Sequence, residues 1–91
     1  MPRFLGESYP VGVARKTLAA AARRARLVAA EMRAEGSEVR FLKSTFVPTE
    51  EALICLVDAP SAEVVTELGR RAGLPLERVV EAVELGSDSI S

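Results

Sequence analysis

Histidine and tryptophan are absent from this 91-residue chain, tyrosine and cysteine occur once each, and aromatic residues make up 4%. Each shortage closes a class of chemistry. Without imidazole, a site for nickel or zinc would have to come from thiolates and carboxylates, and the only thiol is Cys55. A lone cysteine inside an apolar run is expected to act as a small buried hydrophobe, so no metal site and no cofactor are expected. A single cysteine also excludes an internal disulfide. With no secretory leader pattern, a cytoplasmic protein is the simplest expectation. No apolar stretch reaches about eighteen residues, so no membrane span is expected. The net charge of −1 gives no general attraction to nucleic acid.

What the chain does contain is 48% hydrophobic and 27% charged residues, the balance of an ordered globular domain. Residues 1–85 read as one domain and 86–91 as a frayed polar tail. A chain of this size buries roughly 64% of its unfolded surface, a thin core that often leans on a partner.

The stretch RFLGESY, residues 3–9, fits a strand ended by Pro10 and Gly12. From Ala14 to Glu35 the pattern is helical. Leu18, Ala21, Ala22, Ala25, Val28, Ala29 and Met32 share one stripe, and Arg15, Lys16, Arg23, Arg24, Arg26 and Arg33 fall on the other side. Gly36 is a natural stop. Val39 to Val47 is rich in β-branched and aromatic residues and reads as a second strand.

The segment FVPTEEALICLVDAPSAEVV, residues 46–65, decides the fold. A helix begun at Thr49 would be apolar all round and would stop at Pro60 after about two turns, so Ala52 to Val57 reads as a buried strand. Pro48 to Glu51 is then a hairpin tip with both glutamates solvated. Ser61 caps a helix from Ala62 to Ala72, Glu63 suits its N-terminus, Arg70 and Arg71 suit its C-terminus, and Gly73 and Pro75 end it. Val79 to Leu85 reads as the last strand.

The order β-α-β-β-α-β specifies an α+β, ferredoxin-like fold, a four-stranded antiparallel sheet with both helices on one face. The uncovered face should be polar if it meets water, yet alternation sends Leu53, Cys55 and Val57 one way and Ile54 and Leu56 the other. Strict alternation also splits Phe41 from Leu42, Phe46 from Val47, and Phe41 from Leu53 between core and open face. Such a face implies a partner, and the simplest is a second copy in a facing-sheet homodimer.

The stretches FLGESYPVGV, VRFLKSTFVPTEEALICLVDAPSAEVV and RRAGLPLERVVEAVEL resemble a family of small bacterial domains of unknown function that includes an actinobacterial nickel-binding protein. The resemblance covers roughly residues 3–85. It implies a ferredoxin-like fold, often a dimer with facing sheets, and no settled reaction. The chain departs from the family pattern in lacking histidine and in carrying Val13-Ala14 where a threonine or serine often precedes the first helix.

Two constellations stand out. Leu5, Glu7 and Tyr9 share a face of the first strand by alternation. If Glu81 on the last strand joins them, two carboxylates and a phenol line a ligand-binding pocket at the dimer interface, with Arg40 or Lys43 to bind an anionic group and Arg40 as the countercharge, against the alternative of solvated rim residues. Gly12 with Arg15 and Lys16 at the start of the first helix is a candidate anion site, against the alternative of a solvated basic face. Three function classes follow: a dimeric binding or accessory protein holding a small molecule between sheets, a small cofactor-independent enzyme (isomerase, cyclase or monooxygenase type) acting at the same interface, and an RNA-recognition module. The last wants stacked aromatics on the first and third strands, and Ala52 to Val57 has none. A sealed structural dimer is the plain remainder.

Overall fold

A computed structural model describes residues 1–85, so the expected tail at 86–91 lies outside the described residues. The elements run β1 (Arg3–Ser8), α1 (Arg15–Ala34), β2 (Arg40–Val47), β3 (Ala52–Asp58), α2 (Ala62–Ala72) and β4 (Arg78–Ala82), with a 3-10 turn at Pro48–Glu50. The four strands form one antiparallel sheet in the order β2-β3-β1-β4, and both helices pack on one face. This is the ferredoxin-like arrangement.

Local chemistry accounts for the breaks. Pro48 opens the turn between β2 and β3, and Glu51 closes it in the left-handed region at φ 48°. Ser61 accepts a hydrogen bond from Val64 N and caps α2. Gly73, at φ 71°, ends that helix in a conformation that disfavours a side chain. The α1 N-terminus, by contrast, starts at Ala14 with no side-chain cap.

The core lies between the helices and the inner sheet face. Leu18, Ala21, Ala25, Val28, Ala29 and Met32 of α1 and Val65 and Leu68 of α2 cover Phe4, Phe41, Leu53, Cys55 and Val57. The alanines of α1 let the helix approach closely, as the thin stripe implies.

Two strand expectations are corrected. The last strand ends at Ala82 rather than Leu85, because Ala82 pairs with Arg3, the first residue of β1, and among the described residues the ladder has no pair beyond it. In β2, the ladder steps from Phe41 opposite Val57 to Lys43 opposite Leu56, leaving Leu42 as the extra residue of a bulge. The bulge inverts the alternation. Phe41 and Leu53 therefore both face the helices, as does Phe46 opposite Leu53, and the open face carries less apolar surface than strict alternation implies. On the edge strand β2 that face is mostly polar, with Arg40, Lys43 and Thr45 before Val47 at the hairpin end, a pattern that discourages pairing of the edge with other strands.

Candidate functional site

The ladders lay the open sheet face out as three rows across all four strands, reading from β4 through β1 and β3 to β2, with the pair Val47 and Ala52 beyond them at the hairpin end. The middle row is Val80, Leu5, Leu56 and Lys43; one flank is Ala82, Arg3, Asp58 and Arg40; the other is Arg78, Glu7, Ile54 and Thr45. Leu5, Val80, Ile54 and Leu56 are all half-buried in the single protomer, so a central apolar patch lies between two charged rows.

Each charged row is internally paired. Arg3 Nε donates to Asp58 Oδ1 at 2.7 Å and its Nη2 donates to Oδ2 at 3.1 Å, a two-pronged contact, while Glu84 stands 3.4 Å from Arg3 Nη1. The Arg3 hydrogen bond holds the Asp58 carboxyl below its ordinary range. In the other row Glu7 accepts from Tyr9 Oη at 2.7 Å and from Arg78 Nη1 at 3.1 Å, and its side chain is 15% exposed. That hydrogen bond to Glu7, with desolvation behind it, raises the Tyr9 phenol above its ordinary value.

Of the four expected site residues, Glu7 and Tyr9 meet as anticipated. Tyr9 lies just past the end of β1 but reaches back to the open face through its hydroxyl. Glu81 does not join them. It pairs with Phe4, so it belongs to the helix-covered side and projects to solvent at the sheet edge. Arg40 is separated from Glu7 as well. It stands opposite Asp58 in the far row, two strands away from β1. The countercharge for Glu7 is Arg78, which starts β4 one residue earlier than the sequence pattern indicates. Extending that strand by one residue brings Arg78 into β4, while the β1–β4 register that sets it opposite Glu7 carries no local signal.

One member of the candidate anion site at the α1 N-terminus is already engaged from within. Gly12 N–H donates to Glu51 Oε2 at 3.0 Å, which ties the hairpin tip to the loop before α1 and corrects the expectation that both tip glutamates are solvated. The basic residues of α1 likewise do more than face water. Arg26 Nη1 donates to Phe41 O and stacks over its ring at 5.3 Å, and Arg33 Nη1 donates to Val39 O. Arg24 Nε donates to Ala72 O at 2.8 Å and binds the C-terminal end of α2.

Cys55 is buried in the inner face at 1% exposure, and burial pushes its thiol up to about 11. Among the described residues no three histidine, cysteine, aspartate or glutamate side chains converge as metal ligands. No helix among them is long and apolar enough to cross a membrane.

A second concavity lies off the sheet face, where the end of β1, the first turns of α1 and the turn between α2 and β4 meet. It encloses about 340 Å³ and takes in Ser8, Tyr9, Thr17, Arg24 and Glu77 among apolar walls. Its residues come from three separated segments, so no local motif announces it.

The crystal structure of SCO4226 from Streptomyces coelicolor A3(2) superposes with a TM-score of 0.77, covering 91% of this chain and 98% of that one at 23% identity. This likeness shows the shared fold. Among curated proteins no significant match exists. The family model described as nickel responsive protein, SCO4226-like, matches residues 7–82 and so spans both helices and the strands from the end of β1 through β4. The chain belongs to the SCO4226-like family.

Proposed function

We propose that the chain acts as a sheet-to-sheet homodimer that holds a small molecule at the interface, in a binding or accessory role. The observation that carries this reading is the open face itself, an apolar centre of Val80, Leu5, Leu56 and Ile54 between two charged rows on the side left bare by the helices. A two-fold axis running across the strands through the central row lays the apolar residues of the two copies together. It also sets Arg3 over Glu7 of the partner subunit, a complementary pair, while Lys43 at the sheet edge faces its own copy. The cytoplasm suits such a protein, whose one thiol is free and buried.

An acid–base enzyme at the same interface is the weaker reading. Glu7 already accepts from a phenol and a guanidinium, and the Tyr9 proton is held by that bond. Both groups are thereby better suited to positioning than to proton transfer.

The family description names nickel, and the donor set of this chain does not fit that ion. Nickel selects imidazole, thiolate or well-converged oxygen ligands. Histidine is absent, the only thiol is buried with its proton held, and no three donors converge among the described residues. A calorimetric titration with nickel should show no saturable site.

Native mass spectrometry of the protein purified from cells tests the reading. A two-chain mass carrying a small adduct, both lost in Leu56→Asp, is the expected result. A single-chain mass without adduct contradicts it.

A further inference from the structure

From the concavity between β1, α1 and the α2–β4 turn, we infer a second binding site that takes a small zwitterion with an apolar body, the chemistry of a free apolar amino acid. Its volume of about 340 Å³ is at the small end of ligand pockets, which run from about 300 to 1,000 Å³. Leu18, Ala21 and Leu74 form apolar walls, and all three are buried core residues whose positions are set by packing.

The polar groups are few and of complementary kinds. Ser8 is 4% exposed and stands alone among the described residues as a buried polar side chain. It ends the inner-face series Phe4, Gly6, Ser8 of β1, where the register calls for an apolar residue and the chain supplies a hydroxyl facing this cavity. Thr17 brings a second hydroxyl from the first turn of α1. Arg24 lines the same space. Its Nε is committed to Ala72 O, which fixes the guanidinium plane, and among the described residues no carboxylate pairs with it. Among the described residues, a guanidinium so held keeps both Nη groups uncommitted for a carboxylate, which arginine can meet with two parallel hydrogen bonds. Glu77 lines the cavity with the opposite charge.

A plain carboxylate would gain from Arg24 and be repelled by Glu77, and a plain amine the reverse. A molecule bearing both charges meets both groups, with its apolar part against Leu18, Ala21 and Leu74. The site does not depend on the dimer, since every residue in it belongs to one protomer. It is nevertheless linked to the open face through Tyr9, which lines the cavity and donates to Glu7.

Three probes of matched size test the inference by protein NMR titration: leucine, 4-methylpentanoate, which lacks the amine, and 3-methylbutylamine, which lacks the carboxylate. Leucine should give saturable shifts at Ser8, Thr17 and Leu74, and the two truncated probes should bind about tenfold more weakly or worse. Arg24→Gln keeps a donor for Ala72 O and should weaken leucine about tenfold or more with the fold intact, and Glu77→Gln should weaken it while sparing 4-methylpentanoate. Arg70→Gln, remote from the cavity, should change nothing. Equal binding of leucine and 4-methylpentanoate overturns the zwitterion. No saturable shift with any of the three overturns the site.

Discussion

The phenol of Tyr9 donates a 2.7 Å hydrogen bond to Glu7, two residues back along the chain and across the end of β1. Tyr9 is the only tyrosine, so its ionisation can be followed by phenolate absorbance without assignment. The carboxylate stabilises the protonated phenol, and the midpoint should therefore lie above the ordinary value of 10. Glu7→Gln removes the charge and most of that preference, and should return the midpoint toward 10. An unchanged midpoint in the variant would show that the bond is not kept in solution.

Gly69 sits inside α2, where alanine would ordinarily be the better helix former by about 1 kcal/mol. Here a Cβ would stand 2.6 Å from the carbonyl oxygen of Leu74, with Leu76 close behind. Leu74 N–H also donates to Gly69 O at 2.8 Å, which holds the turn after α2 against the helix. Gly69→Ala should thus destabilise the fold, by about 1–3 kcal/mol in a denaturant titration. A neutral or stabilising result would mean the turn moves freely.

Glu67 accepts from both Arg70 and Arg71, and these hydrogen bonds lower its carboxyl to about 2. Asp58 is lowered by Arg3. A group with a depressed folded value adds stability above its unfolded value and loses it as pH falls through the folded one. Melting temperature should therefore hold above about pH 4.5 and decline from there toward pH 2. Because Glu67 is on the surface, added salt should flatten its part of that decline.

Cys55 should resist thiol reagents in the folded protein, since its thiol is buried and held protonated up to about pH 11. Labelling at neutral pH should proceed at the rate of unfolding and become fast in denaturant. Rapid labelling of the native protein would place β3 differently.

Much of the fold was legible because the chain punctuates itself. Pro48, Ser61, Gly73 and Pro75 stand where elements begin and end, and Pro60 leaves too short a span before it for the all-round apolar run from Ala52 to make a useful helix. The bulge at Leu42 was not legible, since Arg40-Phe41-Leu42-Lys43 contains no glycine or other local marker. It moves Phe41 to the same side as Phe46 and so narrows the open apolar face. The site was half legible. Glu7 and Tyr9 follow from alternation along one strand, a local property. Which residue of β4 faces Glu7 is a matter of register between β1 and β4, seventy residues apart in the chain, and it selects Arg78 and excludes Glu81. The cavity beside Arg24 depends on three segments meeting and has no signature in any one of them.

Sedimentation equilibrium of the unmodified chain beside two aspartate variants tests the facing-sheet dimer most directly. Leu56 lies on the open face and Leu53 on the helix-covered one, three positions apart on the same strand. The unmodified protein should sediment as a dimer at micromolar concentration, Leu56→Asp as a folded monomer, and Leu53→Asp should unfold or aggregate because it places a charge in the core. A stable monomer for the unmodified chain, or a Leu56→Asp variant that remains dimeric, would contradict the account.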